Sequence, residues 1–146
     1  MLRKVLAVIV GYLVLALFTG GTFAAAFAML GMDGAFKPGS WEPSATWLFI
    51  SFVLGGIAAI LGGLVCAWIA RSLGTATVFA GIVLVLGLAL AVPALLQEAP
   101  VEARPATATI ADAAGNARQP SWVSLLNPFV GAAGILLGAR LRRQES

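Results

Sequence analysis

Apolar and polar positions along this chain do not alternate with a helical or strand period; they are segregated into blocks. Four runs contain no Asp, Glu, Lys or Arg: residues 5–32, 43–70, 72–97 and 119–139, of 28, 28, 26 and 21 residues. At 1.5 Å rise per residue, about 20 helical residues cross a hydrocarbon layer roughly 30 Å thick, and each run meets that length. The pattern therefore predicts four helical spans near 5–30, 44–70, 75–96 and 122–139, with outer loops at 31–43 and 97–121, an inner turn at 71–74 and a basic tail at 140–146. The expected fold is all-α: an integral membrane four-helix bundle, up-down-up-down, forming a single transmembrane domain over residues 1–146.

Composition sharpens this. Of 146 residues 60% are hydrophobic and 10% charged, against about 25% charged in soluble domains, and the mean hydropathy is +0.99. So small a globule could not bury that apolar surface, which excludes a soluble enzyme or nucleic-acid-binding domain and makes the lipid bilayer the expected solvent. The charges also set the sides. Arg3, Lys4, Arg71, Arg140, Arg142 and Arg143 against Glu145 give +5 at the ends and inner turn. Lys37, Arg104 and Arg118 against Asp33, Glu42, Glu98, Glu102 and Asp112 give −2 on the loops. Basic residues flanking spans resist translocation, so both termini are expected in the cytoplasm and the chain in a cell inner membrane. The tail reads as a topology signal, because anionic-lipid sites use about 4 to 8 clustered basic residues. Tryptophan favours the headgroup level, and Trp41, Trp47 and Trp122 fall at the outer edge with Trp68 at the inner one, as interface anchors.

A cleaved signal peptide is the rival reading of the first span: Arg3 and Lys4 as basic region, residues 5–18 as apolar core, Ala24 to Ala26 as cleavage site. The apolar run continues through Phe27 to Leu30, which favours an uncleaved helix. Spans two and three, joined by a short turn, are expected to be antiparallel neighbours. The first outer loop, with Gly31, Gly34, Pro38, Gly39 and Pro43, should turn and lie on the membrane through Phe36 and Trp41. The second, with Pro100, Pro105, Gly115 and Pro120, reads as a mobile excursion without a core of its own.

Twelve of the 17 glycines fall inside the spans, and glycine is a poor helix former unless close approach is needed. Ser51, Gly55, Ala59, Gly63 and Ala67 recur every four residues, as do Ala16, Gly20, Ala24 and Ala28, and Gly134 with Gly138. Small faces of this kind let helices approach in lipid; they serve either the bundle itself or a homo-oligomer or larger membrane complex. The resembling glycine-rich stretches 56–62 and 131–138 read as convergence rather than duplication.

Polar residues at membrane depth are few. Thr19, Thr22, Ser51 and Asn127 are the candidate polar path, and no ionisable side chain lies near the centre of a span, which argues against proton-coupled transport. Asn127-Pro128 is expected to kink the fourth span or to set residues 122–126 as an interfacial turn. Histidine is absent and Cys66 is the single cysteine, so a metal site, bis-His haem, a disulfide and a histidine base are not expected. Cys66 reads as a small filler, and Glu98 with Glu102 as solvated carboxylates. No catalytic, cofactor-binding or metal-binding residue is assigned.

Three segments, Pro38-Gly-Ser-Trp-Glu-Pro-Ser44, Ala117-Arg-Gln-Pro-Ser-Trp122 and Leu126-Asn-Pro-Phe-Val-Gly-Ala-Ala-Gly134, carry a likeness: the chain resembles small four-span bacterial inner-membrane proteins with no assigned activity. That likeness implies no site residues. The sequence thus leads to a non-catalytic membrane protein acting through helix packing, as an accessory subunit or small homo-oligomeric scaffold. The alternative is a small facilitator or channel formed by an oligomer.

Overall fold

The computed structural model describes residues 1–98 and 102–144, with side chains described through Arg142. Pro100, Glu145 and the side chain of Arg143, which enter the loop and tail assignments above, lie outside the described residues. Five helices follow in order: α1 Leu2–Ala35, α2 Ala45–Ala70, α3 Leu73–Leu96, α4 Ile110–Asn116 and α5 Ser121–Gln144. Four of them, α1, α2, α3 and α5, are long and apolar enough to cross a membrane, and no strand is formed among the described residues.

Local chemistry sets the helix ends. Gly31 adopts φ 66°, ψ −175° inside α1, a conformation open to glycine at little cost; the spanning part therefore ends at Leu30 and residues 32–35 make a further turn. Ser44 caps α2, its hydroxyl accepting from the Trp47 N–H at 3.0 Å, which satisfies one of the orphan donors of a helix start. At the other end Arg71 takes the left-handed conformation (φ 52°) and its N–H closes on the Ala67 carbonyl at 2.8 Å. Arg3 Nε donates to the Ile69 carbonyl at 2.6 Å, placing a cation at the negative end of α2. α5 runs past the expected boundary at residue 139 into the basic tail.

The two ends of the bundle differ. At the end carrying both termini, α2 lies between α1 and α5, and α5 in turn packs on α3. Spans two and three, expected as neighbours, do meet beyond their turn, but less extensively than either meets α5. Phe79, Cys66, Ala59 and Ile135, all at 0% exposure, fill the centre with Ala7, Ala70 and Ala80. Toward the loop end a cavity opens between the four long helices. The outside is apolar throughout the spans, with Leu17, Phe49, Val85 and Leu90 each more than 65% exposed. Such a surface suits helices long and apolar enough to cross a membrane.

The first loop turns, but its Phe36 and Trp41 pack against the second loop. Residues 36–43 close a tight hairpin, with Phe36 pairing Pro43 and the Lys37 N–H on the Glu42 carbonyl. The second loop folds back over it, so that Ala35, Phe36, Trp41 and Ala113 of α4 form a second small core. Neither loop has a core of its own; together they build one, which we call the cap.

Candidate functional site

The three small-residue stripes fall on α1, α2 and α5. Ala59, Gly63 and Ala67 are buried in α2, and Gly134 and Gly138 in α5. A methyl group built on Gly63 would run into the carbonyl of Ile135, and one on Gly138 into that of Ile60. One on Gly134 would sit 2.7 Å from the Ala59 Cβ. The two backbones therefore touch through their glycines, at a separation that any larger side chain forbids.

Two further contacts of this type had no counterpart in the sequence reading. Gly11 of α1 and Gly62 of α2 face each other reciprocally, a Cβ on either standing 2.9 Å from the other's carbonyl oxygen. Gly87 of α3 receives the ring of Pro128, 2.7 Å from where its Cβ would be. The four-residue spacing Ala58, Gly62, Cys66, Ala70, all buried, was the available signal for the first. α2 carries two adjacent small stripes, one for each neighbour.

The remaining stripe behaves differently. Ala16, Gly20, Ala24 and Ala28 of α1 are all exposed, and nothing lies within 4 Å of a Cβ built on Gly20. Gly55 and Ser51, the outer members of the α2 stripe, also leave the packed zone; Gly55 has open space where its Cβ would be.

That space is a chamber of about 420 Å³ between all four spans at their loop-end halves, bordered by Thr19, Ser51, Asn127, Ser124 and Gly55 among apolar neighbours. It brings together three of the four polar-path residues. Thr22 stands apart: its hydroxyl donates to the Phe18 carbonyl one turn back, at 2.7 Å, the usual way a threonine satisfies itself in a helix. Ser51 Oγ is buried and has no hydrogen-bond partner. Helix α5 continues through Pro128 without interruption, so residues 121–127 begin the span rather than forming a separate interfacial turn. Because proline lacks an N–H, the Ser124 carbonyl has no helical donor four residues on, and it too belongs to a residue on the chamber wall.

The tryptophans are not equivalent. Trp68 and Trp122 are exposed, Trp122 stacking on Phe52 at 6.1 Å, and Trp47 stands edge-on to Phe23 and Phe27, each at 5.8 Å. Trp41, assigned as an anchor on the membrane, is instead 5% exposed inside the cap: its ring meets Phe36 edge-on at 5.9 Å, and Arg118 N–H donates to its carbonyl.

Arg104 ties the second loop to the first and to the end of α1. Arg104 NH2 pairs with Asp33 Oδ1 at 2.9 Å while its Nε donates to the Ser40 carbonyl and its guanidinium lies 6.0 Å over the Phe36 ring. Since Asp33 is 96% exposed and Arg104 only 6%, packing of the arginine stem and plane matters more than the ion pair, which water screens. Thr109 and Asp112 form a reciprocal capping box at the start of α4; the two bonds from Thr109, backbone first and hydroxyl second, hold the Asp112 carboxyl below the usual carboxylate range. Among the described residues no group of His, Cys, Asp or Glu is arranged to hold a metal ion. No family model, curated protein or solved structure matches the chain.

Proposed function

We propose that this is a non-catalytic protein of a bacterial inner membrane that works by helix association, as a homo-oligomer or as an accessory subunit of a larger membrane complex. The observation that carries the reading is the outward face of α1. The stripes on α2 and α5 are already in contact within one chain, whereas Ala16, Gly20, Ala24 and Ala28 are exposed and Gly20 has no neighbour. In lipid, association depends on close packing rather than on a hydrophobic force, and this is the face on which a second helix could come equally close. The charge bias of +5 against −2 supports an orientation with both termini in the cytoplasm and the cap outside.

Bulky replacement tests it. Gly20→Ile with Ala24→Ile, placed where no neighbour is displaced within the chain, should abolish the crosslinked or co-purifying species from native membranes while membrane insertion is retained. An unchanged crosslinking pattern refutes the reading. Ile at Ala59 and Gly63 is unsuited to the same purpose, since it would part α2 from α5.

A facilitator is the second reading, favoured by Thr19, Ser51 and Asn127 sharing one chamber. Phe79 and Ile135, both fully buried, would have to separate to let a solute through. Solute flux in reconstituted vesicles that Asn127→Leu abolishes would displace the packing reading.

A further inference from the structure

The chamber has two neighbours that share part of its wall. These cavities stand above it beneath and beside the cap, of about 520 and 700 Å³, and Ala94 and Gln119 border all three. Each is of the size that holds small molecules, roughly 300–1,000 Å³. Their walls are graded. The outermost carries Lys37, Glu42, Glu102 and Arg118; the middle one is largely apolar, and Arg118 is its one charged lining residue; the innermost is apolar with a few hydroxyl and amide groups. Toward the termini the bundle is filled by Phe79, Cys66 and Ile135. On the side it is loosest between α1 and α3, which meet sparsely, and Leu90 at this wall is 76% exposed toward lipid.

Two buried side-chain polar atoms lack a hydrogen-bond partner among the described residues, Arg118 Nε and Ser51 Oγ, and both belong to residues lining these cavities. Buried polar atoms are almost always paired, so each such exception requires a reason. Arg118 NH1 already donates to the Gly115 and Ala117 carbonyls, which fixes the guanidinium and leaves Nε as a charge-assisted donor without an acceptor.

We propose that the cavities together bind a single-chain amphiphile from the bilayer, its anionic head received by Arg118 under the cap and its hydrocarbon chain lying in the chamber, where a hydroxyl or carbonyl on the chain meets Ser51. The grading of the walls matches such a molecule from head to tail, and the loose α1–α3 seam gives it a lateral way in. The site is independent of the α1 association face, so either can fail alone.

Native mass spectrometry of the full chain in an uncharged detergent tests this, titrated with oleate, its hydroxylated analogue ricinoleate, and oleyl alcohol, which keeps the chain and lacks the charge. The expected result is one bound carboxylate per chain, ricinoleate tighter than oleate, and the alcohol about tenfold weaker, the scale of one lost charge-assisted bond. Arg118→Gln should weaken both carboxylates to the level of the alcohol, with Arg118→Lys intermediate. Ser51→Ala should remove the preference for ricinoleate. Gly55→Leu, whose Cβ meets open space at the chamber wall, should abolish binding of all three. Absence of saturable binding to the unaltered chain overturns the proposal. So does alcohol binding as tight as the carboxylates, or binding that Arg118→Gln or Gly55→Leu leaves unchanged.

Discussion

Gly63 and Gly55 belong to the same stripe, eight residues apart, yet one meets backbone and the other meets nothing. The difference sets opposite expectations for the same substitution. Gly63→Ala and Gly138→Ala force α2 and α5 apart and should each destabilise the bundle by about 1–3 kcal/mol, the range of overpacking in a close-packed interior. Gly55→Ala, gaining helix propensity without a clash, should be neutral or stabilising by up to about 1 kcal/mol. Unfolding of the detergent-solubilised protein with increasing denaturing detergent measures both; equal effects at the two positions would show that the stripe is not divided as described. Sequence spacing identifies such a stripe but cannot say which members touch a neighbour, because that depends on where the helices diverge. For the same reason the sequence does not mark Gly11 and Gly87: each is a single small residue opposite a partner, Gly62 or Pro128, that only the tertiary arrangement supplies.

At the level of elements, α4 rests on a capping box that titrates. Asp112 is held below the usual carboxylate range by its two bonds from Thr109, so its contribution is complete above the unfolded carboxylate pKa and is lost as pH falls through the lower folded value. Acidification below the ordinary carboxylate range should therefore accelerate amide exchange in α4 before the spanning helices respond. Thr109→Ala should do the same at neutral pH; uniform acceleration across the chain would contradict this local account. The four long helices were legible because a crossing needs about 20 uncharged residues in a row, and each of the four charge-free runs overlaps one of them. The cap was not. Its second loop has no apolar period, and Ala113 is buried only because Phe36 and Trp41 of the first loop lie beneath it. Thr109-x-x-Asp112 was the one local sign, a capping-box pattern within an otherwise Ala- and Pro-rich stretch.

At the level of the molecule, the bundle is closed at the terminal end by glycine contacts and large buried side chains, and hollow at the cap end. The scarcity of charge in the spans accounts for both features. With no charged side chain in residues 5–32, 43–70, 72–97 or 119–139, close contacts of small residues position the helices, and where the small residues have no partner they leave either the chamber or the bare face of α1. The account rests most heavily on that face. A cysteine introduced at Gly20 in a Cys66→Ala background, carrying a short thiol-anchored photo-crosslinker activated in native membranes, measures its contact directly. The account predicts a crosslinked dimer or a crosslink to one partner protein at position 20, and none from a control cysteine at exposed Val85 on α3. No crosslink at position 20, or equal crosslinking at both positions, would contradict it.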